Sequence, residues 1–260
     1  MTMPFEFFSR HIVGSGTLQS TAPWLRLINR PTTASDYSNA QLDDYQGLPR
    51  AAFLHRPPLT LTLRARFSHN AGDLCGTTGF GFWNDPFGMT GSRWPTLPRA
   101  LWFFFSSPPS NMALAHAVPG PGWKAATIDA WRWPFFLLAP TTPIAMLLLR
   151  IPALYRRLWP IGQRAIAVHE ALLLLDMTAW HDYKIEWAAR HVRFWVDEQV
   201  VLHADQSPRG PLGLVIWKDN QAMSISPTHL PHHQLLFCAR EQWLEIADVT
   251  LLPTVASLSS

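Results

Sequence analysis

The feature that most constrains this chain is the recurrence of short alternating or aromatic segments, each closed by glycine, proline, aspartate or asparagine. LTLTLRARF, directly after Pro58, alternates apolar and polar residues. Successive side chains of a strand point to opposite faces, so such alternation marks a strand with one face buried. GFGFW (79–83), ALWFFFS (100–106), YKIEW (183–187), HVRFWV (191–196), QVVLHA (199–204), LGLVIW (212–217) and LEIADVTLL (244–252) have the same character. Many short strands with turn signals between them predict an all-β sandwich or barrel. One stretch departs from the pattern. TTPIAMLLLRIPALYRRLWPIGQRAIAVHEA (141–171) offers a threonine cap, Pro143 at a first helical position and apolar residues at 147, 151, 154, 158 and 161. It reads as a helical insertion that Pro152 and Pro160 kink or divide.

The chain has 260 residues, enough for one large sandwich or two small domains, with 48% hydrophobic and 15% charged residues. That balance excludes a disordered chain. Thirteen tryptophans and fifteen phenylalanines supply either buried packing area or flat ligand platforms. A net charge of +3 without a lysine or arginine run gives no reason to expect a nucleic-acid partner. Cys75 and Cys238 are read as buried reduced thiols, a disulfide being the alternative. The first residues have no signal-peptide pattern, so a cytoplasmic location is expected. The seventeen uncharged residues between Arg132 and Arg150 fall short of the ~20 that span a bilayer, and they contain three prolines.

The order of these segments resembles that of family 16 glycoside hydrolases within the concanavalin A-like lectin and glucanase superfamily. DYSNAQL (36–42) with LTLRARF (61–67) is similar to the family's opening strands. GFGFW with Trp94-Pro95 resembles its approach to the catalytic strand. WHDYKIEWAARHVRFWVDEQVVL (180–202) resembles its Phe-His-x-Tyr-x-Ile-x-Trp hairpin and the turn that follows, and PLGLVIW (211–217) and LEIADVTLL match the last inner and closing strands. The resemblance implies a concanavalin A-like β-sandwich, a jelly roll, as a single domain over 1–260 with the helical insertion at about 141–171. It also implies E-x-D-x-x-E on the strand after Trp-Pro, where one carboxylate attacks the sugar and another protonates the leaving group about 5 Å away. That strand reads PRALWFFFS, with Arg99, Leu101 and Phe104 at the corresponding positions, and no glutamate occurs between Glu6 and Glu170. Family-type hydrolysis is therefore not expected. The family's convex-face calcium finds only Asp248 as a matching residue, and no H-x-H or cysteine cluster supplies another metal motif. No metal and no cofactor is expected.

Trp102, Phe103, Phe104 and Phe105 replace polar sugar-binding groups on that strand, which turns the expected concave cleft apolar. Trp83, Asp85, Trp102, Phe104, Trp217, Asn220 and Gln221 are the candidate substrate-binding residues, with plain core packing as the competing account of the aromatics. If the strand continues through WKDNQ (217–221), alternation puts Trp217, Asp219 and Gln221 on one side. Asp219 is the candidate acid or base, since burial beside aromatic surface would raise its pKa, which suits proton donation, and a strand-ending turn is its competing reading. His203, or His116, is the candidate proton shuttle. The expected function is binding of an apolar small molecule, with an acid in a shaped pocket able to promote cyclisation or isomerisation. The alternatives are a non-catalytic carbohydrate-binding module stacking sugars on Trp83, Trp102 and Trp217, and a peripheral membrane protein using the arginine-rich insertion. The insertion itself is expected to form a lid on the cleft in preference to lying on a membrane. The oligomeric state stays open.

Overall fold

The computed structural model describes residues 3–90, 94–111, 114–115, 118–226 and 229–253. The strands are β1 (Ser9–Val13), β2 (Gly16–Thr21), β3 (Trp24–Asn29), β4 (Asn39–Asp43), β5 (Leu59–Phe67), β6 (Thr77–Trp83), β7 (Arg99–Ser106), β8 (Gly122–Asp129), β9 (His169–Leu172), β10 (His181–Trp187), β11 (Val192–Val196), β12 (Gln199–Ala204), β13 (Gly213–Asp219), β14 (Gln221–Ser226), β15 (His229–Leu235) and β16 (Gln242–Pro253). They form two seven-stranded sheets, in the orders β1-β4-β13-β6-β7-β8-β9 and β12-β11-β10-β5-β16-β3-β2, with β14-β15 as a separate hairpin. Neighbouring strands within both sheets pair antiparallel.

Alternation decides what lies between the sheets. Phe80, Phe82, Leu101, Phe103, Phe105 and Trp123 of the first sheet share one buried cluster with Leu61, Leu63, Phe67, Tyr183, Ile185, Phe194 and Ile246 of the second. Phe103 stands edge-on to Tyr183 at 4.9 Å and to Phe194 at 5.2 Å, an arrangement aromatic rings favour. The expected all-β sandwich of two packed sheets is the fold observed, and each segment assigned to a strand by its pattern lies in one, apart from the leading residues His191 and Leu212.

Two expectations need correction. Cys75 and Cys238 are not thiols but a disulfide, their Cα atoms 5.9 Å apart across 163 residues of sequence. Backbone pairing of Thr32 with Cys238 in both directions, and acceptance of the Cys75 N–H by Gln242 Oε1, bring the two cysteines together. The helical insertion is also shifted. It comprises α1 (Trp133–Leu138), α2 (Thr142–Leu148) and α3 (Pro152–Ala165), whereas residues 169–172 are β9, paired with β8 at the sheet edge. Pro152 opens α3, as its fixed φ allows, and Pro160 lies inside α3 without ending it. Of the apolar positions expected to form a lid, Leu147, Ile151 and Ile161 are exposed and Leu154 and Leu158 half-buried. No helix among the described residues is long and apolar enough to cross a membrane.

Candidate functional site

The outer face of the first sheet, turned away from the second, carries the site. Cross-strand register places Trp217 beside Gly79, Gly79 beside Phe104, and Gly81 beside Trp102. The two glycines of GFGFW leave the outer face of β6 bare at positions 79 and 81, and the neighbouring rings fill the space. A Cβ on Gly79 would come within 2.9 Å of the Trp217 ring and one on Gly81 within 2.6 Å of the Trp102 backbone. The result is a floor of Trp83, Trp102, Phe104 and Trp217. Trp102 lies 5.6 Å from Phe104, 5.7 Å from Trp217 and 5.8 Å from Trp83, and the Trp83 and Trp217 planes are parallel within 3°. Trp83, Phe104 and Trp217 are buried and Trp102 half-buried. Trp83 Nε1 donates to Tyr45 Oη at 2.6 Å, and Trp217 Nε1 to Thr77 Oγ1 at 3.0 Å. Both indoles thus have their polar atoms satisfied inside the protein, which fixes the rings and leaves their surface apolar.

Trp217, Asp219 and Gln221 do line one pocket, together with Gln41, Thr77, Met89 and Met223. Asp219 is buried, and its Oδ1 accepts from Thr77 N at 3.2 Å, Thr77 Oγ1 at 2.7 Å and Gln221 N at 3.0 Å. Burial nevertheless raises its pKa, because removing water penalises the carboxylate more than these bonds favour it. Tyr37 also belongs to this corner: burial first, and the charge of Asp219 second, push its hydroxyl pKa up. Gln221 Oε1 lies 2.9 Å from His233 Nε2, a bond across the β14-β15 hairpin that holds the Gln221 side chain at the pocket margin. The cavity left above the floor is about 70 Å³. Sites that enclose a drug-sized ligand measure about 300–1,000 Å³, so this cavity is too small to enclose one.

Asp85 builds the wall and does not face the pocket. Its backbone lies in the left-handed region at φ 46°, its Oδ1 accepts from Met89 N at 2.8 Å, and its carbonyl accepts from Arg50 Nη2 at 2.5 Å. This turn presents Phe87 and Met89 at the edge of the aromatic floor. Asn220 is likewise structural. Alternation turns it away from Trp217 and Gln221, and its amide bonds Thr32, Ser38, Asp36 and Leu236. His203 does not reach Asp219: it lies on β12, the edge strand of the second sheet, exposed and 3.1 Å from Asp205 Oδ1. Sequence alone could not place it, because sheet membership depends on pairing between distant strands. His116 lies outside the described residues.

The strand matched to E-x-D-x-x-E also needs adjustment. β7 pairs without a bulge on either side, so Leu101 faces the inter-sheet core while Ala100, Trp102 and Phe104 face outward. Arg99 sits at the strand end, 3.3 Å from Asp129 Oδ1. Sequence reading missed a buried pair on the same outer face. Lys124, beside Phe104, lies 3.9 Å from Glu170 Oε1, and Glu170 Oε2 accepts from Ala115 N at 3.1 Å. Burial lowers the Lys124 pKa and raises that of Glu170, each shift opposed by the other's charge. A lysine spaced two from Gly122 at the start of a strand was the only signal, and it was too weak to use.

A larger depression, about 380 Å³, lies on the outer face of the second sheet. Its walls are charged: Arg64 pairs with Asp182 at 3.5 Å, and Lys184 Nζ covers the Trp195 ring at 4.0 Å. Its aromatic surface is therefore already occupied, and the first sheet remains the better candidate. Asp248 borders this depression. Among the described residues no three His, Cys, Asp or Glu side chains are grouped to hold a metal.

No family model matches the sequence, and no curated protein matches it. Among solved structures the chain is similar to a Bacillus licheniformis β-glucanase, at 10% identity and a TM-score of 0.47, covering 95% of this chain and 92% of that one. A laminarinase from Flavobacterium sp. UMI-01 gives 11% identity and a TM-score of 0.47, with 96% and 93% coverage. A sialidase gives 8% identity and a TM-score of 0.47, and the chain spans only 17% of its length. The likeness is one of fold. What this chain does must be argued from its own side chains.

Proposed function

We propose that the outer face of the first sheet binds a flat, largely apolar molecule or group against the aromatic floor, with Gln41 and Gln221 at one margin. The observation that carries this reading is the rigid floor of Trp83, Trp102, Phe104 and Trp217, with the indole N–H groups of Trp83 and Trp217 already bonded within the protein. A sugar needs hydrogen-bonding partners around its ring as well as a stacking surface. An apolar ring needs the surface alone, and Met89 and Met223 give the site adaptable walls.

Catalysis is not part of this proposal. Asp219 Oδ1 is already committed to three donors and His203 is on the other sheet. Family-type retaining hydrolysis uses two carboxylates about 5 Å apart on the matched strand, and β7 carries none, so turnover of laminarin and lichenan is expected at background. The Cys75–Cys238 bond supports an oxidising compartment, against the cytoplasmic expectation, because structural disulfides persist where thiols are not kept reduced.

Intrinsic tryptophan fluorescence titrations test the reading with isoprenoid and polycyclic aromatic compounds against laminari-oligosaccharides. The apolar compounds should bind more tightly. Trp102→Ala should weaken that binding about tenfold, the equivalent of one aromatic contact of about 1.5 kcal/mol. Saturable oligosaccharide binding that apolar compounds do not displace would instead establish the carbohydrate-binding alternative.

A further inference from the structure

The segment between β8 and β9 exposes an apolar surface that no described residue covers. Trp131, Trp133, Phe136, Leu137, Ile144, Leu147, Leu148, Ile151 and Ile161 are all exposed, Trp133 at 72%, Leu137 at 68% and Ile144 at 66%. A run this dense is unusual for a surface that meets only water, since scattered single residues are the norm. The same stretch has a one-sided charge. Between Asp129 and Glu170 there is no acidic residue, whereas Arg150, Arg156, Arg157 and Arg164 are present and exposed. No carboxylate of the described residues forms an ion pair with these four arginines.

We infer that this insertion docks the protein on an anionic lipid surface. Exposed tryptophans beside short helices suit the boundary between headgroups and acyl chains, where an indole can bury its ring and keep its N–H wet. Arginines can extend along the same boundary and meet lipid phosphates. The proline-divided helices are too short to span a bilayer, so the contact is with one leaflet. Charge complementarity selects this occupant over a second copy of the chain. Two copies joined through this face would bring their unpaired arginines together without a counter-charge.

This inference does not depend on the ligand proposed for the aromatic floor. The test is co-sedimentation of the full chain with vesicles of phosphatidylcholine alone and of phosphatidylcholine mixed with phosphatidylglycerol. Binding should require phosphatidylglycerol and fall steeply in 1 M salt, where charges are screened beyond about 3 Å. Replacing Arg150, Arg156 and Arg157 together by glutamine should weaken binding about 100-fold at low salt, from about tenfold or less per arginine. Trp133→Ser with Leu137→Ser should also weaken it, and since both side chains are exposed the circular dichroism spectrum should not change. Absence of binding to the mixed vesicles would overturn the inference, as would binding that neither set of substitutions alters. Concentration-dependent dimerisation abolished by Trp133→Ser with Leu137→Ser would equally overturn it, in favour of a second copy on this face.

Discussion

Thr77 Oγ1 donates to Asp219 Oδ1 at 2.7 Å, and the same oxygen accepts the indole N–H of Trp217 at 3.0 Å. One hydroxyl thus ties the acid of the site to its aromatic floor. Replacing Thr77 by valine would keep the shape and remove both bonds, leaving a buried indole donor unpaired. Urea denaturation should show a loss of about 2–3 kcal/mol for Thr77→Val and under about 1 kcal/mol for Thr77→Ser, which keeps the hydroxyl. Equal effects of the two would mean that the hydroxyl holds nothing together.

Gly79 should tolerate no side chain beneath the floor. An added Cβ would lie 2.2 Å from the Phe103 carbonyl oxygen and 2.9 Å from the Trp217 ring. Gly79→Ala is expected to cost about 1–3 kcal/mol by overpacking, to shift tryptophan emission and to abolish the binding that Trp102→Ala weakens. Gly72 is the control. It is exposed with open space around it, so Gly72→Ala should leave stability and binding unchanged.

Lys218 gives the fold an alkaline signature. It is buried on the side of β13 opposite Trp217, its Nζ donating to the carbonyls of Cys75 and Asp219, and burial lowers its pKa from 10.5 to about 8. Between those values the unfolded chain holds the proton that the folded chain has released, so stability rises with pH. The gain from pH 7.5 to 9.5 should be about 2 kcal/mol in denaturant titrations. Lys124, also lowered by burial, adds in the same direction, so Lys218→Met should remove a large part of the rise but not all of it. Above about pH 10 the sign reverses, because Tyr37, Tyr45 and Tyr183 are raised by burial and keep protons that the unfolded chain loses. A flat profile between pH 7.5 and 9.5 would refute the burial of Lys218.

The disulfide closes a loop of 163 residues. Chain-entropy reasoning gives a contribution of about 5 kcal/mol for a loop of that length. The purified protein should show no reactive thiol until it is reduced under denaturing conditions, and the paired Cys75→Ser, Cys238→Ser variant should unfold at a markedly lower denaturant concentration. Free thiols in the native protein would return both cysteines to the state the sequence suggested.

Much of the sandwich was legible because strand alternation is a local property. LTLTLRARF, GFGFW, ALWFFFS, YKIEW, HVRFWV and LGLVIW each announce which residues face inward, whereas the strand expected to run through 217–221 ends at Asp219, and Gln221 joins Trp217 and Asp219 in the pocket from the start of β14. β1 and β2 gave no such signal, their residues being mixed in polarity, and β9 looked helical until β8 supplied a partner. What only the tertiary structure decided depends on which distant segments meet. Sheet order put His203 on the second sheet, made Asn220 a tie between loops, joined Cys75 to Cys238, paired Lys124 with Glu170 and left the insertion's apolar stripe uncovered. Periodicity fixes the direction of a side chain relative to its own strand. Its neighbours are set by pairings and packing between residues far apart in the chain, which no local pattern encodes.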